Sequence, residues 1–349
     1  MADSYYQIAT TPKLYVSYPL YQYASGALDE YSSQNGSVSE EDMIKLLQID
    51  PSNQVHLFQD ELPTGNFFDY LNYKIVPSYD NETPVVSSGL WNFDFFMVLG
   101  HNFATTNHEI EVRYGSTATT IDYTGIVNYP FEYDGWSLFS LNDVPSDEDR
   151  ELIFGVFNMN LENYIDCKIG SILVGKSFEF PINTALSTTT KFEYGIKQKS
   201  TISGKTISTA NWTKPNNWIT EPFGLGNQEG DNYQRRSGRR VWKMQFDSLA
   251  PDKVMNQNLM MNSNGFTAQD NHSTAADGES SLYNINDATD FYTNVVHRSM
   301  SSHLPMVLQI DKNDNSPSNF AIVRMNKDYT IKQKSPNLYS ISVTLTEQI

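Results

Sequence analysis

The sequence predicts a mostly β protein, and three observations carry that expectation. Short segments alternate apolar and polar residues with a period of two, which sets one face of a strand on a core and the other in water. Asn, Ser and Thr are abundant, and their short side chains compete for backbone hydrogen bonds, favouring turns and strands over helix interiors. Aromatic residues reach 13%, with 21 Tyr and 19 Phe. These types suit a half-buried pleated surface and supply large contact areas between subunits.

At 349 residues the chain is long enough for two ordinary domains. Residues 1–84 read as an extended N-terminal arm with one short helix. Pro12, Pro19, Pro51, Pro63 and Pro77 interrupt it, and Tyr15, Tyr18, Tyr21, Tyr23 and Tyr31 would anchor an arm on another surface. Ser39 is placed to cap a helix from Glu40 to Leu47. Glu40, Glu41 and Asp42 favour its positive end, and Met43, Leu46 and Leu47 form its apolar face.

Residues 85–182 read as a β-sandwich. Leu90 to Leu99 begins with alternation, becomes an apolar run and stops at Gly100. Glu109 to Tyr114 alternates and stops at Gly115. The turn Tyr133-Asp134-Gly135 leads into Trp136 to Phe139, and Leu152 to Phe157 and Cys167 to Gly175 complete the series. Short strands between regular turn signals suit a sandwich.

Residues 183–349 read as a second β domain with one helix. Phe192 to Ile196 leads into a hairpin, Thr201 to Ile207, turning around Ser203-Gly204. Trp242, Met244 and Phe246 share one strand face, with Arg239, Arg240 and Lys243 outside the core. Asn256 to Gly278 is rich in Asn, Ser, Gly and Ala, and is expected to be a long loop that orders only on assembly. A helix is expected over 286–300, capped by Asn286, with Phe291, Tyr292, Val295, Val296 and Met300 along one stripe. Leu304 to Ile310 is a strand whose place in a ladder Pro305 limits. Phe320 to Met325 and Leu338 to Thr346 are strands. In the last, Tyr339, Ile341, Val343 and Leu345 point one way, and Ser340, Ser342, Thr344 and Thr346 the other.

The net charge is −17 and the pI about 4.7. A field of that sign repels nucleic acid and anionic membranes, so neither is expected as a direct partner. The opening Met-Ala-Asp-Ser-Tyr-Tyr has no basic region or apolar run, and no stretch approaches the roughly 18 apolar residues that span a bilayer. Synthesis and assembly in a cytoplasm are therefore expected. Cys167 is the only cysteine, which excludes an intrachain disulfide and a cysteine-based zinc site, and it reads as a structural thiol.

No nucleophile elbow, phosphate loop or His-Glu-x-x-His is present. No catalytic activity, cofactor or metal is expected. His101 and His108 have no third ligand at a useful spacing. Asp311 to Asn315 starts like a calcium loop, but Lys312 fills its second slot, no Gly stands at the sixth and no Glu at the twelfth. It reads as a solvated turn.

Two clusters stand out. Arg235, Arg236, Arg239 and Arg240 form the one basic cluster. They are either a contact with an acidic neighbour such as a second copy, or a solvated loop feeding a strand. Tyr133, Asp134 and Trp136 form an aromatic and acidic turn. Either the ring stacks on a sugar whose hydroxyls Asp134 binds, or it plugs the end of the sandwich.

Several segments resemble a known family. Val98-Leu99-Gly100-His101-Asn102-Phe103, Tyr133-Asp134-Gly135-Trp136 and Ile169 to Gly175 resemble the discoidin-like, galactose-binding-type β-sandwich of minor tail and other virion proteins of bacteriophages. Gly238 to Phe246, Leu304 to Asp311 and Asn337 to Glu347 resemble the C-terminal part of the same proteins. The resemblance covers about residues 88–349 and, weakly, 12–31. It implies a jelly-roll sandwich plus a second domain of tail-tube or distal-tail type. It also implies a structural role in the virion, as a tail component or adaptor forming a homo-oligomeric ring. Expected partners are other copies, neighbouring tail proteins and host surface glycans. Alternatives are a glycan-binding module for host adsorption, a capsid decoration protein and, against the missing motifs, a tail-associated hydrolase.

Overall fold

The structure, a computed structural model, describes residues 11–25, 30–33, 39–50, 54–57, 68–74, 94–104, 108–114, 125–131, 134–141, 153–158, 167–180, 187–209, 238–255, 290–316 and 319–348. The first strands in chain order are β1 (Lys13–Tyr15), β2 (Glu30–Ser33), β3 (Val55–Leu57), β4 (Phe68–Lys74), β5 (Phe95–His101), β6 (His108–Tyr114) and β7 (Gly125–Pro130). Then come β8 (Gly135–Ser140), β9 (Ile153–Asn158), β10 (Cys167–Ile169), β11 (Ser171–Gly175), β12 (Ser177–Glu179) and β13 (Ser187–Glu193). The last are β14 (Lys197–Ser200), β15 (Thr206–Thr209), β16 (Arg239–Leu249), β17 (Met306–Gln309), β18 (Phe320–Met325), β19 (Thr330–Ser335) and β20 (Leu338–Glu347). Among the described residues three short α-helices accompany them: α1 (Tyr18–Ser25), α2 (Glu40–Leu47) and α3 (Pro251–Val254). The protein is mostly β, and its strand pairings are all antiparallel among the described residues.

An eight-stranded sheet runs in the order β12-β1-β17-β18-β20-β16-β13, with β19 also paired to β20. β20 organises it. One edge of β20 pairs with β16, from Val241↔Thr346 to Leu249↔Tyr339. The other edge is shared, β18 taking Leu345 to Glu347 and β19 taking Leu338 to Ser342. The period of two in β20 has its expected result, since Ile341, Val343 and Leu345 are fully buried. Trp242, Met244 and Phe246 of β16 face the same core. The β16–β20 register shifts between Phe246 and Leu249, where Ser248 takes a positive φ of 60°, the signature of a bulge.

Neighbouring residues of β1, β17 and β18 divide between two cores. Leu14, Met306, Leu308, Ala321 and Val323 join the core beneath β16 and β20. Tyr15, Val307 and Phe320 join a second core with Phe95, Met97, Leu99 and Leu173. Those last four come from a three-stranded sheet, β11-β5-β8, which therefore packs on the large sheet. All of β5 is buried, as its apolar run implies. Its reverse face stacks Phe96 on Phe139, centroids 4.6 Å apart. A five-stranded sheet, β2-β4-β9-β6-β7, and the pair β10-β3 complete the order. β1, β2, β3 and β4 all precede residue 84; β1, β3 and β4 each pair with a strand from beyond it, and β2 pairs with β4. β12, before residue 182, lies in the large sheet.

Several expectations meet a different outcome. Tyr15 and Tyr18 are buried in the chain's own interior, so the surface these two anchors dock on is intramolecular. Pro305 does not push its strand to an edge. β17 starts one residue later and lies between β1 and β18, so the missing N–H falls outside the ladder. Arg240 lies on the face of Trp242, its guanidinium 4.9 Å from that ring. The helix expected over 286–300 is, among the described residues, a π-helical turn at Tyr292–His297. It follows Asp290, whose carboxylate accepts the Thr293 N–H at 2.8 Å. Residues 286–289 and the expected loop at 256–278 lie outside the described residues. Helix α2 forms with its expected cap, the Asp42 N–H donating to Ser39 Oγ at 3.2 Å.

The chain passes from the small sheet to the large one at Lys176, between β11 and β12. A Cβ on Gly175 would lie 2.3 Å from the Val16 carbonyl oxygen, so the close approach there requires glycine.

Candidate functional site

Burial falls steadily across the large sheet. β17 is buried on both faces, β16 on one, and in β13, at the end of the order, Thr188 to Phe192 are all exposed. Consecutive exposed residues mean that both faces of β13 meet solvent. Among the described residues β13 pairs only with β16, so its other edge is unpaired there. Its seven-residue register runs from Ser187↔Gln245 to Glu193↔Arg239.

β13 continues into the hairpin β14–β15, whose strand residues are exposed throughout. Residues 201–205 join the strands, and Thr201 and Lys205 close a three-residue tip, Ile202 to Gly204. The Gly204 N–H donates to Thr201 O at 2.9 Å, and Gly204 has φ +80°. A turn of this kind ending in a left-handed glycine is a favoured hairpin closure. Thr201 Oγ1 accepts the Lys205 N–H and the Thr201 N–H donates to Lys205 O, at 3.0 and 2.8 Å. At the root, Gly238 has φ +78°, and a Cβ there would meet Glu193 O at 2.8 Å.

The hairpin is two-faced. The register pairs Lys197 with Thr209 and Lys199 with Ile207 on one face, and Gln198 with Ser208 and Ser200 with Thr206 on the other. One face is therefore cationic and apolar, and the other is neutral and polar. Seven large apolar side chains are exposed among the described residues, and five of them lie between 192 and 207: Phe192, Tyr194, Ile196, Ile202 and Ile207. Single exposed apolar residues are ordinary, but such a concentration marks an interaction surface. The sequence marks the turn. The signal for the surface was isoleucine set among Lys, Ser and Thr without a core face to match.

The arginine cluster is partly placed. Arg235 and Arg236 lie outside the described residues. Arg239 reaches Glu193 at 3.3 Å, an exposed pair of small energetic worth. Arg240 is committed within the chain. Its Nη2 donates to Glu347 Oε1 at 2.6 Å and to Phe320 O at 3.1 Å.

In the aromatic turn, Tyr133 lies outside the described residues, and Asp134 immediately precedes β8. The Trp136 ring lies 4.6 Å from that of Phe320 and packs on the core shared by the two sheets. That contact favours the plug over the sugar platform.

Other polar groups serve the interior. His101 is buried between Phe103 and Phe131. Its Nδ1 accepts the Phe103 N–H, so Nε2 carries the proton toward Ser137 Oγ, 3.1 Å away. Burial holds its pKa down at about 3, so it is neutral. Tyr15, its hydroxyl pKa raised by burial, donates to Gln309 Oε1 at 2.7 Å. Gln309 in turn donates to Asp314 O and Asn315 Oδ1, both at 3.1 Å. Asp311 and Asp314 accept the backbone N–H groups of Asn313 and Ser316, so this turn is closed on itself. Among the described residues no three of His, Cys, Asp and Glu gather as a metal site, and no helix is long and apolar enough to cross a membrane.

No family model matches the chain, and no curated protein matches it.

Proposed function

We propose that this protein is a structural component of a bacteriophage virion, a tail component or adaptor, that works as a homo-oligomer. The observation that carries the self-assembly is β13, a seven-residue strand at the end of an eight-stranded sheet with both faces in solvent. Such an edge is a template for pairing with another chain. A protein that stayed alone would be expected to shorten, bulge or cover it. The virion assignment is supported by the resemblance of the Gly238 to Phe246 and Asn337 to Glu347 segments to phage tail proteins. Neighbouring tail proteins are its further partners. The test has two parts. Light scattering after gel filtration should give an oligomer with a fixed number of copies, and a gold label on this chain should decorate the tails of purified particles. A label confined to the head would replace the tail assignment by a capsid decoration role. Particles without any label would end the virion assignment.

A further inference from the structure

We infer that the β14–β15 hairpin is a docking arm whose lysine and isoleucine face binds the acidic surface of a second copy of this chain. The inference rests on the self-assembly proposed above and names the element that makes the contact.

The charge distribution selects the occupant. Lys197, Lys199 and Lys205 lie in a stretch, 194–209, that has no Asp or Glu. The whole chain carries −17, so the remainder carries −20 once these three lysines are set aside. A cationic arm on so acidic a body is complementary to another copy of that body. Every residue of β14 and β15 is exposed, so the lysine face of the hairpin strands lies open to such a partner.

The apolar residues supply the adhesion. Ile202 stands at the tip with a relative exposure of 110%, and Ile207 on the lysine face is 54% exposed. A two-stranded hairpin without a packed face is marginal in water. Here Gly204 and Thr201 fix the tip, and Gly238 lets the root close on Glu193. The arm is thus shaped in advance, which lowers the ordering cost of docking. The opposite face, with Gln198, Ser200, Thr206 and Ser208, is neutral and polar, as suits the side left in water.

The test mixes light and 15N-labelled full-length protein and treats the assembly with a carbodiimide, which joins amines directly to carboxylates. Cross-linked peptides should join Lys197, Lys199 or Lys205 of one isotope to an Asp or Glu of the other. Two variants accompany it, Ile202→Asp with Ile207→Asp, and Lys197→Glu with Lys199→Glu and Lys205→Glu. All five positions are exposed, so both variants should keep the wild-type circular dichroism and melting temperature. Self-association should weaken by at least about tenfold in each. In the wild type it should weaken with added salt. If the wild type assembles and both variants assemble equally well, the arm is not the contact, while the self-assembly reading stands. A wild type that stays monomeric at every concentration would overturn both. Lysine-dependent binding to anionic vesicles or single-stranded DNA, in place of self-association, would assign the face to that partner and overturn the inference.

Discussion

Asp94 accepts two hydrogen bonds from Ser177, from the backbone N–H at 2.7 Å and from the hydroxyl at 2.5 Å. Asp94 immediately precedes β5 of the small sheet, and Ser177 opens β12 of the large one. The Asp94 carbonyl also accepts the Leu141 N–H at 3.0 Å, beyond the end of β8. One carboxylate thus fixes the corner where two sheets meet. Asp94→Ala is expected to cost about 2–3 kcal/mol, the range for hydrogen bonds to a charged group. Urea unfolding measures it. A double-mutant cycle with Ser177→Ala should return a coupling of about 1 kcal/mol or more. Additive losses would show that the two side chains act independently.

The same corner sets a steric prediction. Gly175→Ala forces a methyl group to 2.3 Å from the Val16 carbonyl oxygen, and neither backbone can swing aside as a side chain would. Destabilisation of about 1–3 kcal/mol is expected, as for other overpacked sites. A melting temperature equal to that of the wild type would mean that Val16 and Gly175 are farther apart.

His101 predicts a pH dependence. Its unfolded pKa is about 6.5, and burial lowers the folded value to about 3. The unfolded chain therefore binds a proton that the folded chain refuses. The stability tied to neutral His101 is fully present above about pH 6.5 and is lost as the pH falls toward 3. The slope from one such group is at most about 1.4 kcal/mol per pH unit. His101→Gln removes the titration, so the stability gap between wild type and variant should narrow as the pH is lowered from 7 to 4. A constant gap would mean that the imidazole titrates normally.

The strands that bury one face were legible in the sequence, because burial and period coincide there. Ile341, Val343 and Leu345 alternate with Ser342, Thr344 and Thr346, and a sheet with one wet face has no other way to be written. The partners of those strands were not legible. Nothing in Lys13-Leu14-Tyr15 announces that it lies between residues 177–179 and 307–309, because three residues hold too little pattern to choose a neighbour. The π-helical turn was also hidden, since its apolar stripe, Phe291, Val295 and Val296, fits an α-helix equally well. For the candidate site, Ser203-Gly204 marked the hairpin turn. Its outward isoleucines were not legible as such, because sequence does not say which of two faces will lack a partner.

Trp136→Ala separates the two readings of the aromatic turn. Its ring rests on Phe320 in the core between the sheets. Removing it should cost about 3 kcal/mol, the lower end of the range for large aromatic truncations, since the side chain is only partly buried. Wild-type protein on a glycan array should show no signal that depends on this ring. Sugar binding lost in the variant, with the melting temperature unchanged, would restore the adsorption role.

The ends of β16 and β20 give the last prediction. Arg240 Nε lies 3.1 Å from both Glu347 oxygens, and the Arg240 backbone N–H donates to Oε2 at 2.9 Å. The Glu347 side chain is 6% exposed and that of Arg240 24%. Water therefore screens the pair only from the arginine side. Removing the arginine alone leaves a carboxylate buried without its cation, so Arg240→Ala is expected to cost about 2–4 kcal/mol, below the full range for a wholly buried pair. Replacing both, Arg240→Met with Glu347→Leu, removes the stranded charge and keeps the volume beside Trp242. The double variant should therefore be more stable than Arg240→Ala. The two are compared by denaturant midpoint at constant slope. A double variant less stable than the single would mean that the ion pair stabilises the sheet beyond what apolar packing can replace.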